Sequence, residues 1–447
     1  MTNEHTPSRA ARQRPRRRRS GPRPAGAAPQ TARPQAPRAP RPQPTAPVAT
    51  IPAQATSPVQ AGVDIPSFSE LSVPAPLVKV LHGMGAEQPF PIQVATLRDS
   101  LSGRDVLGRG KTGSGKTIAF AVPLVARLSS VRRVPGRPTG LVLVPTRELA
   151  RQVAEVIRPL ANTMQLKVTT VFGGVGQGPQ VTALRNGVDI LVACPGRLED
   201  LIQQRHCSLD AVQVTVIDEA DHMADLGFLP AVRRLLDATP KLGQRLLFSA
   251  TLDNAVDTLV RRYLNDPVVH SVDAAAEAPA QMHHHMLMVS AADKPAVVRR
   301  LAGGSQRAVL FTRTKHGAKK LAKVLTTAGT PSVELHGNLA QGARDRNLEL
   351  FRTGKATVLV ATDIAARGIH VDEVALVVHV DPPAEHKAYL HRSGRTARAG
   401  TEGTVVTIVT PEQADDARKL AKAAGIQPQV TKVTPSHELL GTLAPGR

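Results

Sequence analysis

The sequence has few aromatic residues. Phe, Trp and Tyr make up 2% of its 447 residues, and Trp is absent. Hydrophobic cores must therefore be aliphatic, built from Val, Leu, Ala and Ile. Binding of nucleic acid through many stacked bases is excluded, so that contacts to a phosphate backbone are favoured instead.

Cysteine and long apolar runs are also scarce. Cys194 and Cys207 match neither a zinc site nor a disulfide framework, which indicates a reducing compartment. No apolar run approaches the roughly eighteen residues of a membrane span, and the basic N-terminus lacks the apolar stretch of a secretion signal. An Arg-rich transit peptide stays open, although prolines disfavour its amphipathic helix. We expect a cytoplasmic protein.

Acidic residues are outnumbered by basic ones. The sequence has 57 Lys and Arg against 36 Asp and Glu, which gives a formal net charge of +21. A polyanion is the expected partner, with nucleic acid ahead of an anionic membrane surface.

Residues 1–62 consist mainly of Pro, Ala, Gln and Arg and include the run Arg16–Arg19. Such a segment cannot bury enough apolar surface to offset the entropy of ordering, and its like charges repel. We predict a disordered basic tail. Its charge favours a tether that concentrates RNA near the folded part, and a merely solubilising extension is the alternative.

From Phe68 onward, short apolar runs alternate with segments of helical periodicity. Continuous runs of this kind are typical of strands buried on both faces of a parallel sheet. In the first half of the chain they are 141–144, 188–192, 214–217 and 245–248, with predicted helices at 148–160 and 229–238. The alternation predicts an α/β fold with a doubly wound parallel sheet and ligands at the carboxyl ends of its strands.

A second α/β unit follows a break in this pattern. Residues 273–281 are rich in Ala and are predicted to form a linker. The next apolar runs are 308–311, 357–360, 375–380 and 404–409. We therefore predict domains at 63–272 and 282–426, followed by a short tail, 427–447, without clear periodicity.

One stretch matches the phosphate-binding pattern G-x-x-x-x-G-K-[ST]: Gly110-Lys111-Thr112-Gly113-Ser114-Gly115-Lys116-Thr117. In this pattern backbone N–H groups surround phosphate oxygens at the start of a helix. Lys116 would reach the terminal phosphates, and the Thr117 hydroxyl would bind Mg²⁺. A flexible turn before a helix is the alternative.

Two carboxylates follow the predicted strand 214–217. Asp218 is placed to hold the metal together with Thr117, and Glu219 is placed to orient a water molecule. Lys116, Asp218 and Glu219 are therefore candidate catalytic residues.

Three adjacent histidines, His283–His285, invite a metal-binding interpretation. Neighbouring residues of a strand point to opposite faces, so these imidazoles cannot all reach one ion on regular backbone. We predict that Met282–Met288 is an alternating strand that opens the second unit.

Taken in order along the chain, several segments resemble the DEAD-box family of ATP-dependent RNA helicases. The resemblance extends from Phe68 to Gly400. The segments are 91–93 with Phe68 upstream, 145–150, 173–174, 195–198, 218–221, 249–251, 336–337 with Gln341 and Arg344, 361–368, and 391–400.

The resemblance implies two RecA-like domains with a cleft that binds ATP and Mg²⁺. It assigns Phe68 to stacking on the base, Gln93 to reading the adenine edge, and Gly368 and His370 to nucleotide binding. The arginines that complete the site on closure would be Arg395 and Arg398, for which a solvated basic helix face is the alternative.

The resemblance also implies an RNA site that contacts phosphates and ribose rather than bases. Such contacts carry no sequence information, and 2′-hydroxyl contacts would select RNA over DNA. Ser249 and Thr251 would couple the two sites. The RNA-binding residues would be Arg147, Gly174, Arg197, Arg344, Thr362 and Arg367.

Three positions depart from the family pattern. Gly110 stands where the family has Ala, and Cys194 replaces Thr, which exchanges a hydroxyl donor for a weak thiol. His370 replaces an Asp that faces the nucleotide, so the negative charge is missing there.

These patterns predict an RNA-dependent ATPase and ATP-dependent RNA helicase that clamps single-stranded RNA and locally separates short duplexes. The alternative is an ATP-gated RNA clamp or RNA chaperone with little unwinding. A P-loop kinase lacks any acceptor-binding signal. We expect a monomer that can join a ribonucleoprotein or RNA-degradation assembly.

Overall fold

The computed structural model describes residues 65–110, 113–272, 282–304, 306–366, 374–397 and 402–444. We call 65–272 lobe 1 and 282–444 lobe 2. The predicted tail 1–62 and linker 273–281 lie outside the described residues, and the domain boundaries stay predictions. Six predicted site residues also lie outside the described residues: Lys111, Thr112, Arg367, Gly368, His370 and Arg398.

Lobe 1 contains a parallel sheet of seven described strands. They are β1 (Val106–Arg109), β2 (Gly140–Leu143), β3 (Val168–Val171), β4 (Ile190–Ala193), β5 (Val214–Asp218), β6 (Gln244–Ser249) and β7 (Val268–Ser271). Their order across the sheet is β3-β4-β2-β5-β6-β1-β7. All pairings are parallel, as the continuous apolar runs predict.

Helices connect these strands. They are α1 (Ala75–Gly83), α2 (Pro91–Ser102), α3 (Lys116–Leu128), α4 (Arg147–Thr163), α5 (Gly178–Arg185), α6 (Pro195–Gln203), α7 (Ala220–Asp225), α8 (Leu229–Asp237) and α9 (Asn254–Tyr263).

Lobe 2 repeats this plan. Its strands are β8 (Met282–Met288), β9 (Ala308–Phe311), β10 (Ser332–Leu335), β11 (Val358–Ala361), β12 (Leu376–His379), β13 (Gly403–Val409) and β14 (Gln429–Lys432). Its helices are α10 (Lys294–Ala302), α11 (Lys315–Thr327), α12 (Gln341–Arg352), α13 (Asp363–Ala366), α14 (His386–Ser393), α15 (Ala414–Ala423) and α16 (Leu439–Leu443), with a short 3₁₀ turn at Pro411–Gln413.

The second sheet has the order β10-β11-β9-β12-β13-β8-β14, which is the order of the first sheet when each is numbered from its own first strand. The predicted class, two tandem doubly wound α/β units, is confirmed. The strand predicted at Met282–Met288 is also confirmed as β8, and the described residues contain no group of three or more potential metal ligands.

The short tail predicted at 427–447 contains regular structure in its described part. Its strand β14 pairs with β8 at the sheet edge, and Leu440 and Leu443 of α16 are buried in the core of lobe 2. The strand is only four residues long, and its exposed edge position leaves it without an apolar run. Periodicity therefore could not reveal it.

Each sheet is covered by apolar residues on both faces. Along β2 and β5 the side chains alternate, so that Val142 and Val216 belong to one core cluster while Leu141 and Ile217 belong to the other. Aliphatic side chains dominate both clusters, as the composition requires. No helix in the described part of the chain is long and apolar enough to cross a membrane.

Candidate functional site

The strand order divides the carboxyl edge of each sheet into two halves. In lobe 1, the phosphate-binding loop follows β1, the predicted catalytic carboxylates lie at the end of β5, and the predicted coupling segment lies at the end of β6. These three strands are neighbours. The segments predicted to bind RNA follow β2, β3 and β4, which are neighbours on the other side. Lobe 2 repeats this division, since Arg344 and Thr362 follow β10 and β11, whereas Arg395 follows β12 and α14.

The phosphate-binding loop has the backbone that its glycines predict. Gly113 and Gly115 have φ values of +92° and +84°, in the left-handed region that favours glycine. A Cβ added at Gly115 would lie 2.5 Å from Nε2 of Gln93. Lys116 begins α3 and is buried, and its Nζ donates to the Gly110 carbonyl at 2.6 Å. Lys116 is therefore held against Gly110, the first residue of the pattern.

Gln93 supports this loop from α2. Its Nε2 donates to the Gly115 carbonyl at 2.9 Å, and its Oε1 accepts from the Phe90 amide at 2.9 Å. Both polar groups of the amide are engaged within the protein, a bracing role that the sequence did not reveal. Phe68 is 1% exposed and packs in the core of lobe 1, so stacking on a base requires the ring to be uncovered. The base-binding roles of Gln93 and Phe68 stay predictions.

Asp218 and Glu219 lie side by side at the end of β5, and both are buried. Burial, and then the negative charge of Glu219, raise the pKa of Asp218 to about 7, while Lys116 acts in the opposite direction. A cation near these carboxylates would relieve this electrostatic cost. The carboxylate of Asp218 and the hydroxyl of Thr117 are the oxygen donors that Mg²⁺ prefers, so the residues fit this ion.

Glu219 adopts a constrained conformation. Its φ of +51° lies in the left-handed region, which is rare for a residue with a side chain. The amide of Glu219 donates to Oδ1 of Asp218 at 3.0 Å, and its Oε2 lies 3.1 Å from Nδ1 of His222. The carboxylate of Glu219 is thus held by its neighbours, and His222 is a contact that the sequence did not predict.

Arg395 brings a positive charge from lobe 2 to this site. It is 8% exposed, and its Nε donates to the His391 carbonyl at 3.2 Å. Burial lowers the pKa of Arg395, and the nearby charge of Glu219 acts in the opposite direction. The alternative interpretation of Arg395, a solvated basic helix face, does not fit this burial. Arg398 lies outside the described residues.

Ser249 and Thr251 are bound to the Asp218–Asp221 segment. Both the amide and the hydroxyl of Thr251 donate to Oδ2 of Asp221 at 2.9 Å. Ser249 accepts from the Asp221 amide at 3.3 Å and donates to the Thr251 carbonyl at 2.8 Å. The Ser249 carbonyl also accepts from the amide of Gly110 in the phosphate-binding loop. These bonds give the predicted coupling segment a physical connection to the nucleotide site.

Three predicted RNA-binding residues of lobe 1 lie together. A Cβ added at Gly174 would lie 2.0 Å from Nη1 of Arg147, so glycine leaves the space that this guanidinium occupies. Arg197 donates to the carbonyl of Val175 at 3.3 Å. The two arginines therefore flank one loop, and both are partly exposed.

In lobe 2, Arg344 is not presented to solvent. It is 7% exposed and donates to Oε1 of Glu148 in lobe 1 at 2.8 Å, and also to the carbonyls of His336 and Ala365. Arg344 therefore joins the two lobes in this structure. Thr362 is partly exposed, and its amide donates to the Leu335 carbonyl at 3.1 Å. RNA binding by both residues stays a prediction.

Two further ion pairs connect the lobes. Nη1 of Arg151 lies 2.6 Å from Oδ1 of Asp345, and Nζ of Lys387 lies 2.5 Å from Oδ2 of Asp253. Neither pair was predicted. Asp345 directly follows the predicted Arg344 in the sequence, and this position could have indicated the first pair. Nothing in the sequence relates Lys387 to Asp253.

Two family models match consecutive parts of the chain. The DEAD/DEAH box helicase model matches residues 90–259, and the helicase conserved C-terminal domain model matches residues 293–400. The chain belongs to the DEAD/DEAH box helicase family. The first match contains the phosphate-binding loop with Asp218 and Glu219, and the second contains Arg344 and Arg395.

Relatives in this family support the assignment. DEAD-box ATP-dependent RNA helicase 5 of Arabidopsis thaliana is 40% identical over 344 residues, which cover 73% of this chain and 63% of that protein. DEAD-box ATP-dependent RNA helicase 28 of Oryza sativa subsp. japonica is 38% identical over 368 residues, 81% of this chain and 46% of that protein. The chain thus spans about half to two thirds of the length of these relatives.

A solved structure of S. cerevisiae Dbp5 bound to RNA and ADP BeF3 has a similar fold. Its TM-score is 0.73 at 28% sequence identity, and the match covers 84% of this chain and 98% of that one. Mss116p bound to ssRNA and AMP-PNP has the same TM-score at 24% identity, which shows the fold alone.

Proposed function

We propose that this chain is an RNA-dependent ATPase and ATP-dependent RNA helicase. The observation that carries the proposal is the buried Arg395 of lobe 2, which lies close enough to Glu219 of lobe 1 for their charges to interact. A catalytic carboxylate and an arginine from separate lobes can act together only when the lobes meet. Hydrolysis would therefore depend on closure of the cleft.

The chain's own residues would act on the nucleotide by position and charge. ATP with Mg²⁺ would supply the phosphoryl group and part of the charge that neutralises it. The loop Gly110–Thr117 would bind the phosphates, with Lys116 as a point charge, and Asp218 and Thr117 would hold the metal. Glu219 would orient the attacking water, and Arg395 would stabilise negative charge as it develops.

RNA would lie along the other half of the same sheet edges. Arg147 and Arg197 flank a loop that is open to solvent, and their guanidinium groups suit phosphate oxygens. Single-stranded RNA held across both lobes without base contacts would be bound without sequence preference. Strand separation would then be local and limited to short duplexes.

A second candidate is an ATP-gated RNA clamp with little unwinding. The buried pair between Glu148 and Arg344 favours it, because this contact holds the lobes together on the RNA side. A clamp and a helicase share the nucleotide site. They differ in whether a duplex is separated during turnover.

The decisive experiment measures ATP hydrolysis with and without RNA, together with the separation of blunt and tailed short duplexes. The wild type should show RNA-stimulated hydrolysis. Lys116→Ala should lose nucleotide binding. Glu219→Gln should bind ATP and RNA while turnover falls at least about a hundredfold, because water orientation contributes on that scale.

Glu87→Gln serves as the matched control, since it makes the same chemical change at an exposed position. It should leave turnover unchanged. Hydrolysis that RNA does not stimulate, or normal turnover in Glu219→Gln, would contradict the proposal. RNA-stimulated hydrolysis without duplex separation would favour the clamp.

A further inference from the structure

Lys387 and Asp253 form an ion pair across the cleft, and neither is among the predicted site residues. The Nζ and Oδ2 atoms are 2.5 Å apart, and the two side chains are 25% and 24% exposed. The pair is thus partly shielded from water, where salt screens it less than on an open surface and where removal of one partner leaves the other charge uncompensated.

The position of Lys387 is unfavourable for its own helix. It is the second residue of α14, whose first turn contains no acidic residue. A cation near a helix N-terminus is opposed by the helix dipole. The stability of α14 therefore does not account for a lysine there, whereas a partner in lobe 1 does.

The opposite holds for Asp253. It is the N-cap of α9, where its Oδ1 accepts from the amides of Ala255 and Val256. Its other oxygen, Oδ2, is the one that binds Lys387. The carboxylate is therefore fixed in place by α9 before lobe 2 reaches it, which reduces the entropy lost when the pair forms.

The environment of Lys387 in lobe 1 is acidic. The hydrogen bond to Asp253 raises the pKa of Lys387, and the charges of Asp253, Asp225 and Asp221 act in the same direction. Asp221 is the residue that binds Thr251 of the coupling segment. Lys387 therefore contacts lobe 1 next to the segment that links the nucleotide and RNA sites.

Helix α14 also holds the arginine of the nucleotide site. Arg395 follows the last turn of α14 and is bonded to the His391 carbonyl within that helix. The N-terminal end of α14 is bound to Asp253, while its C-terminal end presents Arg395 towards Glu219. One short helix thus connects the two contacts.

We propose that Lys387 is a positioning residue, which binds Asp253 when the lobes close and so seats α14 with Arg395 facing Glu219. The proposal rests on the proposed function and adds to it a contact that makes closure favourable. Lys387 does not touch the nucleotide or RNA in this proposal. It acts through α14.

The test is a double-mutant cycle with Lys387→Gln and Asp253→Asn. Asparagine keeps a side-chain oxygen for the cap of α9 and removes the charge. Three quantities are measured for each protein: affinity for single-stranded RNA without nucleotide, affinity for the same RNA with a non-hydrolysable ATP analogue, and RNA-stimulated turnover.

Lys387→Gln should weaken analogue-dependent RNA binding by about three- to thirtyfold, as expected for a partly shielded ion pair. Turnover should fall as well, since Arg395 is less often in place. RNA binding without nucleotide should not change, because the lobes are then not required to close. In the Asp253→Asn background, Lys387→Gln should have no further effect, and Lys387→Arg should retain most of the wild-type behaviour.

Arg262→Gln is the control, because it breaks an exposed ion pair between α9 and Asp237 within lobe 1. It should leave all three quantities unchanged. Wild-type behaviour of Lys387→Gln, or an equal loss in the Asp253→Asn background, would overturn the proposal while RNA-stimulated hydrolysis by the wild type still supported the proposed function. A wild type without RNA-stimulated hydrolysis would instead remove the proposed function.

Discussion

At the scale of single residues, His222 is the contact that most directly affects the proposed chemistry. The side chains of His222 and Glu219 are 4% and 12% exposed. A carboxylate can only accept hydrogen bonds, so Nδ1 of His222 carries the hydrogen when Glu219 is ionised. Nε2 is buried without a partner among the described residues. The imidazole thus has one polar contact of consequence, and it fixes the carboxylate of Glu219.

We predict that His222→Ala lowers RNA-stimulated turnover by about ten- to a hundred-and-fiftyfold, the range expected for losing a hydrogen bond to a charged group. ATP affinity should stay near that of the wild type. His222→Asn should restore much of the rate, because its amide can donate from nearly the position of Nδ1. Steady-state kinetics of the three proteins provide the measurement.

The matched control repeats His222→Ala in the Glu219→Gln background. There it should cause no further loss of turnover, because the carboxylate that it positions is already gone. A similar fractional loss in both backgrounds would show that His222 acts on the fold rather than on Glu219.

Sequence patterns predicted which residues lie at the site more completely than they predicted the hydrogen-bond partners of those residues. The positive φ values in the phosphate-binding loop favour glycine, so the glycine pattern alone was enough to predict this loop. The partner of Arg344 could not be predicted in this way, because Glu148 is almost two hundred residues away along the chain and belongs to the other lobe. Long-range polar contacts of this kind leave no local periodicity.

At the scale of elements, strands β8 and β12 place the half-buried His284 and the buried His379 around Tyr389 of α14. Nδ1 of His284 lies 3.1 Å from the Tyr389 hydroxyl, and the ring of His379 meets the Tyr389 ring edge-on at 4.9 Å. Nδ1 of His379 also lies 3.0 Å from the Thr407 hydroxyl. The fold therefore shields His379 fully and His284 partly from water.

Both histidines resist protonation in the folded chain. Burial, followed by the charges of His285 and His283, lowers the pKa of His284 to about 4. Burial, followed by the charges of Arg392 and His284, lowers the pKa of His379 well below its usual range. An unfolded histidine has a pKa of about 6.5. The contribution of these two neutral histidines to the free energy of unfolding is therefore fully present above about pH 6.5 and is lost as the pH falls towards 4.

We predict that the free energy of unfolding of lobe 2 falls between pH 6.5 and 4, with each of these histidines contributing up to about 1.4 kcal/mol per pH unit. His379→Asn removes one titrating group and can keep the bond to Thr407, so the pH dependence should become shallower by up to that amount. Urea unfolding at several pH values provides the measurement.

Tyrosine emission can report lobe 2 alone, because the chain has two tyrosines and no Trp. In a Tyr263→Phe background, Tyr389 is the remaining tyrosine. His82→Asn, at an exposed position of α1, is the control and should leave the pH dependence unchanged. Equal slopes for the wild type and His379→Asn would refute the assignment.

The strongly apolar elements were predictable, whereas the marginal ones were not. Strands such as β2 and β5 are buried throughout, so their composition is continuous and aliphatic. By contrast, β14 is an exposed edge strand whose place is set by pairing with β8. Its existence follows from the repeated strand order and not from its own residues.

At the scale of the whole molecule, the buried pair between Glu148 and Arg344 distinguishes two ways of binding RNA. The side chains of Glu148 and Arg344 are 8% and 9% exposed. Arg344 could contribute to RNA binding by contacting phosphate or by joining the lobes. The two roles differ in their dependence on salt, because each phosphate contact to a single strand adds about 0.7 unit to the log–log slope.

We predict that Arg344→Gln and Glu148→Gln each weaken analogue-dependent RNA binding by about ten- to a hundredfold, since breaking one partner of a buried pair leaves the other charge uncompensated. The effects should not add in the double variant. The salt dependence of RNA binding should keep its slope in all three proteins. Fluorescence titrations with single-stranded RNA at several salt concentrations provide the measurement.

Glu87→Gln again serves as the control, because Glu87 is exposed. A slope that falls by about 0.7 unit in Arg344→Gln but not in Glu148→Gln would show that Arg344 contacts phosphate directly. In that case the contact between the lobes is secondary.

The repeated strand order makes the chain resemble a dimer whose two subunits have been joined. A symmetric dimer would bring two phosphate-binding loops to its interface and would commit two nucleotides to each closure. In lobe 2, however, β8 leads into α10 through Val289–Asp293, a described connection that contains no glycine. On the proposed function, the second subunit of this pseudo-dimer would act on a nucleotide whose phosphates it does not surround, and each closure would be tied to a single molecule of ATP.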